Sequence, residues 1–171
     1  AIAPDGQVVA VGGWTSSNGW DNDVYLFHTQ TGELLQRISR LSLIRDLEFS
    51  PNGRYLVAAL GGNNGIRIYR TNTYQEVYRD SDYGASSLNI AFAPNGKLAS
   101  VSDDGHIRLY DTDFSLLKKM KTTSGSQPFS LAFSPDGSKL AVGYKDNPKL
   151  QVLDVNSFRL LYRPNIKGAN T

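Results

Sequence analysis

Two carboxylates stand two residues apart in Asp46-Leu47-Glu48. On an extended strand, side chains at i and i+2 share a face, so this pair could hold a cation or perform acid–base chemistry. A metal-bearing hydrolase or lyase is therefore one reading to weigh. Little else supports it. His28 and His106 are the only imidazoles and there is no cysteine, so neither a histidine cluster nor a thiolate site can be assembled. Asp21-Asn22-Asp23 begins like a calcium loop, but Leu26 stands where the sixth position requires glycine. Ser50 and Ser134 each precede a proline, with no base at hand to activate them. Phosphate-cradling glycine loops with lysine, Gly-x-Ser-x-Gly elbows and His-Glu-x-x-His pairs are missing. No catalytic residue, metal or cofactor is expected, and the chain is not read as an enzyme.

The elements that position these residues follow from a repeat. Pro-(Asp/Asn)-Gly occurs at Pro4, Pro51, Pro94 and Pro135, with spacings of 47, 43 and 41 residues. A four-stranded propeller blade takes roughly 40–45 residues. Proline fixes φ and Asn-Gly or Asp-Gly accepts positive φ, so each tripeptide predicts a tight hairpin turn. Before three of the turns runs a short strand ending in Phe and a small residue: Leu47–Ser50, Ile90–Ala93 and Leu131–Ser134, with Ile2-Ala3 as a truncated first copy. After each turn comes an apolar strand, at Val8–Gly12, Tyr55–Leu60, Leu98–Ser102 and Leu140–Gly143. A third strand is expected at Val24–His28, Ile66–Arg70, Ile107–Asp111 and Leu150–Asp154. A more polar fourth is expected at Glu33–Ile38, Tyr74–Arg79, Ser115–Met120 and Phe158–Tyr162. Alternation such as Ile107-Arg108-Leu109-Tyr110 favours strand over helix.

The fold class is thus all-β: a single segment, 1–171, of four four-stranded antiparallel blades forming an arc of a larger propeller. The blades span about 1–40, 41–80, 86–121 and 128–163, followed by a tail, 164–171. The polar fourth strands are sheet edges, which charge protects. Lys118, Lys119 and Lys121 fit that protective role better than a nucleic-acid patch. A net charge of +2 also argues against a nucleic-acid partner. No stretch approaches the roughly 20 apolar residues of a membrane helix, so no membrane partner is expected. Lack of cysteine suits the cytoplasm. The opening residues resemble the middle of a repeat, which suggests a piece of a longer protein.

In Ser102-Asp103-Asp104-Gly105-His106-Ile107-Arg108-Leu109-Tyr110-Asp111 the chain resembles the WD-repeat (WD40) family, whose signature is an Asp-containing turn leading into a strand ending Trp-Asp. Tyr110, Tyr69, Phe27 and Leu153 stand where that Trp is expected. Asp111 and Asp154 keep the terminal Asp, which His28 and Arg70 replace. The resemblance implies a buried hydrogen-bonded tetrad of a turn Asp, a His, a Ser or Thr, and the Trp. Asp21, Asn63, Asp104 and Asn147 fall in the turn-Asp column, but Gly-His is missing from every copy, so an incomplete tetrad is expected. Phrases such as Val9–Trp14, Gly61–Arg67 and Leu140–Tyr144 are more weakly similar to the propeller region of large bacterial multidomain proteins, some carrying a caspase-like domain.

Such a resemblance implies a protein–protein interaction scaffold. Its partner would be another protein or another domain of the same polypeptide. Four blades span about half a ring of seven or eight, so open flanks could also drive self-association. Rim loops supply the candidate contacts. Trp14 and Trp20 lie in one polar loop, and Arg45, Tyr83, Phe129, Tyr144 and Lys145 complete the set, with Tyr83 either the most exposed of the rim residues or an aromatic that fills its own turn. A further alternative is glycan or small-ligand binding through the Trp14–Trp20 loop.

Overall fold

The computed structural model describes residues 1–13, 22–122, 127–146 and 150–165. Every element named in them is a strand, and all pairings are antiparallel. The first blade contains β1 (Val8–Val11), β2 (Asn22–His28) and β3 (Leu34–Leu41). The second contains β4 (Ile44–Phe49), β5 (Tyr55–Leu60), β6 (Ile66–Arg70) and β7 (Glu76–Asp80). The third contains β8 (Ser87–Phe92), β9 (Leu98–Ser102), β10 (His106–Tyr110) and β11 (Leu116–Lys121). The fourth contains β12 (Pro128–Phe133), β13 (Lys139–Tyr144), β14 (Leu150–Asp154) and β15 (Leu160–Tyr162). Each sheet is a simple meander in chain order, as short turns between antiparallel neighbours require.

The first sheet departs from expectation in having three strands. At its inner edge Ile2 pairs with Val9 through an isolated bridge, flanked by backbone hydrogen bonds between Ala1 and Ala10 and from Ala3 N–H to Val8 O. The fourth strands also begin later than the sequence suggests. Tyr74 and Phe158 are not in strands but in the turns before them, at φ of 52° and 57°.

The repeated tripeptides close the first hairpin of each blade. Gly6, Gly53, Gly96 and Gly137 have φ between 68° and 88°, and each N–H donates to the carbonyl three residues earlier. Asn52 and Asp136 accept from the N–H groups of Arg54 and Ser138, both at 3.0 Å. Ser50 and Ser134 play the expected turn role, each hydroxyl accepting a backbone N–H across the hairpin, from Tyr55 and Lys139, at 2.9 Å.

The core lies between blades rather than within them. Each sheet is covered by its neighbour, so strands near the centre read as unbroken apolar runs. Val24, Leu26, Leu56, Ala58 and Leu60 fill the first interface. Val57, Ile66, Ile68, Leu98 and Tyr110 fill the second, and Ala99, Ile107, Leu140 and Val142 the third. Alternate residues of one strand thus serve different interfaces, as Val57 and Ala58 do. A fully buried aliphatic side chain contributes about 1.5–3 kcal/mol, so these interfaces hold the arc together.

Candidate functional site

The innermost strands β4, β8 and β12 carry the site. An inner edge strand presents N–H groups that its own sheet leaves unpaired. In β8 those groups are met by the preceding blade: Asp46 Oδ2 accepts from Ile90 N–H at 3.0 Å, and Glu48 Oε1 from Phe92 N–H at 3.1 Å. The Asn89 side-chain amide also donates to Asp46, at 2.6 Å, and its oxygen accepts from Leu131 N–H of β12 at 2.8 Å. Asp46, Asn89 and Ser130 occupy one column of the repeat, and the first two tie each inner strand to the next. Asp46 and Glu48 are thus half-buried and fasten the inner strands of successive blades. Burial pushes Glu48 up to about 7, against the Phe92 N–H, which lowers it, and with Asp46 adding to the rise. Ala91 and Ala132 fill its column in the next blades, so the carboxylates do not converge into a ring. Among the described residues no group of three or more His, Cys, Asp or Glu could hold a metal.

One residue upstream, every described inner strand is interrupted. The register shifts between Ile44 and Asp46, between Ser87 and Asn89, and between Pro128 and Ser130. Arg45, Leu88 and Phe129 are the skipped residues. A bulge leaves its extra residue out of the ladder and re-aims its side chain. The bulges lie beside the loops joining blades: Gly61 N–H donates to Leu43 O at 2.7 Å. Arg45 is exposed and Phe129 is 52% exposed, large for an aromatic side chain on a strand. Arg45 and Phe129 stand out singly in the sequence and Leu88 does not, although the same offset from each Pro-(Asn/Asp)-Gly marks all three.

The neighbouring rim is built on a buried polar network. Arg108, fully buried on β10, donates to Asp104 Oδ2 at 2.7 Å, to Ser102 Oγ at 2.8 Å and to Asp82 O at 2.6 Å. Its guanidinium lies 3.7 Å over the Tyr83 ring. Tyr83 OH bonds Ser100 Oγ at 2.6 Å and Tyr110 OH at 2.8 Å, and Tyr110 donates to Asp80 at 2.7 Å. Burial pushes Tyr83 up to about 12. Burial opposes ionisation of Asp104 too, but Arg108, Ser102 and the Gly84 N–H together hold its carboxyl well below the usual range.

Tyr83 is thus the clearest correction. Expected on the exposed rim, it is 4% exposed, because its hydroxyl finds two partners inside the blade. It takes a bonding place beside a strand Ser and the residue at the Trp position, where the family's tetrad would use histidine. The close approach demands Gly65 at φ 65°: a Cβ there would sit 2.0 Å from Asp80 O and 2.6 Å from the Tyr83 ring. At the other Trp positions Tyr69 and Leu153 are buried, and Phe27 is half-buried.

Asp104 fills its turn role, accepting from His106 N–H at 3.0 Å. Asn63 does not: it is exposed, and the neighbouring Asn64 donates instead to Gly61 O at 2.7 Å. Its loop contains two glycines of positive φ, which moves the bonding amide one residue on. Lys145 spans blades to Asp103 at 3.0 Å, and Tyr144 is half-buried, its OH donating to Gln151 at 2.6 Å. Trp14, Trp20, Asp21 and Asn147 lie outside the described residues. Lys118 and Lys119 are occupied on the edge strand, by Asn156 O at 2.5 Å and Asp82 at 2.6 Å.

Radially packed meander sheets with inner strands fastened side by side define an arc of β-propeller. The family model described as WD domain, G-beta repeat matches residues 33–70, 81–111 and 115–147, and the chain belongs to the WD-repeat family. It is 32% identical over 116 residues to the periodic tryptophan protein 2 homolog of Neurospora crassa, covering 64% of this chain and 12% of that protein. It is 25% identical over 155 residues to the U3 small nucleolar RNA-associated protein 18 homolog of Arabidopsis thaliana, covering 86% of this chain and 27% of that protein. The chain therefore spans only a minor part of these relatives. Among solved structures, one described as the mitotic checkpoint complex superposes with TM-score 0.80 at 21% identity, over 95% of this chain and 48% of that one. U3-55K superposes with TM-score 0.78 at 16% identity, over 94% and 49%. These two likenesses concern the fold.

Proposed function

We infer that the chain is a non-enzymatic protein–protein interaction scaffold whose contact surface centres on the rim-side ends of the inner strands. The observation that carries this reading is the repeated bulge, which sets Arg45, Leu88 and Phe129 at one position in three successive blades. A cation beside apolar and aromatic groups suits a protein segment that pairs a carboxylate with a large apolar side chain. The buried network beneath holds the adjacent loop in place, so the surface is formed before a partner arrives, which limits the entropy lost on binding. Trp14 and Trp20, outside the described residues, are candidate contacts on the ground of sequence alone.

The partner is another protein or another domain of the same polypeptide, and the exposed flanks offer a route to self-association. A cytoplasmic setting within a larger multidomain polypeptide completes the proposal; absence of cysteine supports it. Cross-linking with mass spectrometry on the wild type and on Arg45→Glu/Phe129→Ala tests the surface. Cross-links to a partner that vanish in the double variant support it. Cross-links that persist unchanged remove these residues from the contact.

A further inference from the structure

In the second blade the turn joining β4 to β5 lies beside the turn joining β6 to β7. Thr71 N–H donates across them to Arg54 O at 3.0 Å, and Thr71 Oγ1 to Gly53 O at 2.7 Å. Both turns close the end of the blade opposite the inner-strand bulge, since β4 runs the length of the sheet between the two. Gly53, Arg54, Tyr55, Arg70, Thr71 and Asn72 line a cavity of about 270 Å³ there. Arg70 stands directly opposite Tyr55 across the β5–β6 pair, so their side chains share a face of the sheet. Arg54 and Arg70 are both exposed. Among the described residues neither guanidinium has a hydrogen-bond or ion-pair partner, whereas Arg67 and Arg79 of the same blade are held by Glu76.

The later blades carry an acid where the second has Arg70. Asp111 and Asp154 fill that column, and each carboxylate accepts a turn N–H, from Thr112 and Ser157, both at 2.8 Å. Lys139, the register equivalent of Tyr55, faces Asp154. The Arg70 side chain takes no part in its own turn, which closes on the Arg70 carbonyl through the N–H groups of Thr73 and Tyr74. Residues 50–55 and 70–75 contain no acid at all. We propose that this cavity binds a phosphomonoester dianion. Two guanidiniums offer paired N–H forks and two charges, which match a phosphoryl group that carries about −1.5 to −2 at pH 7. The volume falls below the roughly 300–1,000 Å³ of sites for drug-sized ligands, so it suits one compact group. A nucleic-acid strand needs a continuous run of cations, and at this end of the other blades Asp5, Asp113 and Asp136 are exposed and interrupt one. A phosphorylated protein side chain and a small phosphate ester present the same dianion, and their relative affinities separate the two sources.

NMR titration of the labelled chain, followed at the Gly53 and Thr71 amides, tests the site. The probes are a capped phosphoserine tripeptide, its unphosphorylated form, the same peptide with glutamate in place of phosphoserine, glycerol phosphate and a short single-stranded oligonucleotide. Saturable shifts are expected with the phosphopeptide and with glycerol phosphate, and none with the unphosphorylated peptide. Arg54→Gln/Arg70→Gln changes two exposed side chains and is expected to keep the fold and weaken binding at least about tenfold. Arg159→Gln, which removes an exposed cation from the same end of the fourth blade, is expected to leave binding unchanged. A phosphopeptide tighter than glycerol phosphate assigns the source to a phosphorylated protein, and the reverse order assigns it to a small ester. Absence of saturable shifts with both phosphate esters overturns the proposal. So does binding that survives in the folded double variant, a glutamate peptide that binds as well as the phosphopeptide, or an oligonucleotide that binds more tightly than either ester.

Discussion

Asp46 and Asn89, 43 residues apart on the inner strands of successive blades, meet at 2.6 Å, and the same carboxylate oxygen takes the Ile90 N–H. One side chain thus satisfies two donors that the neighbouring blade cannot satisfy itself. Asp46→Ala strands both donors and should cost about 2–3 kcal/mol, whereas Asp46→Asn keeps an acceptor and should cost about half as much. Urea denaturation of both variants measures this, and equal losses would show that acceptance by the carboxylate is not what matters.

Glu48 makes the second blade's interface sensitive to pH. Its pKa rises from 4.5 to about 7 on folding, so its contribution is fully present below about pH 4.5 and lost as pH rises through 7. Asp104 runs the other way: its lowered pKa gives stability above the unfolded value of 3.8 that is lost on acidification. Stability should therefore peak on the acid side of neutrality, near pH 4–6. Glu48→Gln keeps an acceptor for Phe92 N–H and should flatten the alkaline limb, read as melting temperature across pH 4–8.

The rim network predicts an asymmetry between its members. Arg108→Ala leaves Asp104 half-buried without its cation and should cost about 3–5 kcal/mol. Tyr83→Phe removes one hydroxyl from a bonded set and should cost about 1–2 kcal/mol. Chemical denaturation distinguishes them, and a mild Arg108→Ala would mean the 80–86 loop is held by other contacts.

The repeat, the strand order and the hairpin turns were legible in the sequence because Pro-Asn-Gly has a strong local preference that tertiary packing does not override. Arg45 and Phe129 were legible as candidates, but their shared bulge was not, since a register shift leaves no mark in one strand read alone. The burial of Tyr83 is not legible for a physical reason: flanked by Asp82 and Gly84 it looks like a loop tip, and only the distant Ser100, Arg108 and Tyr110 make its burial favourable. Tyr74 and Phe158 look like strand residues in the sequence because aromatic side chains favour strands. For Phe158 the inter-blade contact comes from Lys118, about 40 residues away, whose ammonium lies 5.7 Å from the ring.

Phe129 and Arg45 are exposed, so Phe129→Ala and Arg45→Ala should each change stability by no more than about 0.5 kcal/mol. Each should nonetheless weaken partner binding by about 1 kcal/mol or more. Trp20→Ala is expected to weaken it by roughly 1–2 kcal/mol. Thermal melts run beside binding isotherms separate the two effects.

The most direct measurement is calorimetric titration of a cross-linked partner, once purified, into wild type and Arg45→Ala/Phe129→Ala. A loss of affinity of at least about tenfold with an unchanged melting temperature is the predicted result. Undiminished affinity in a folded double variant would contradict the assignment of the bulge column as the binding surface.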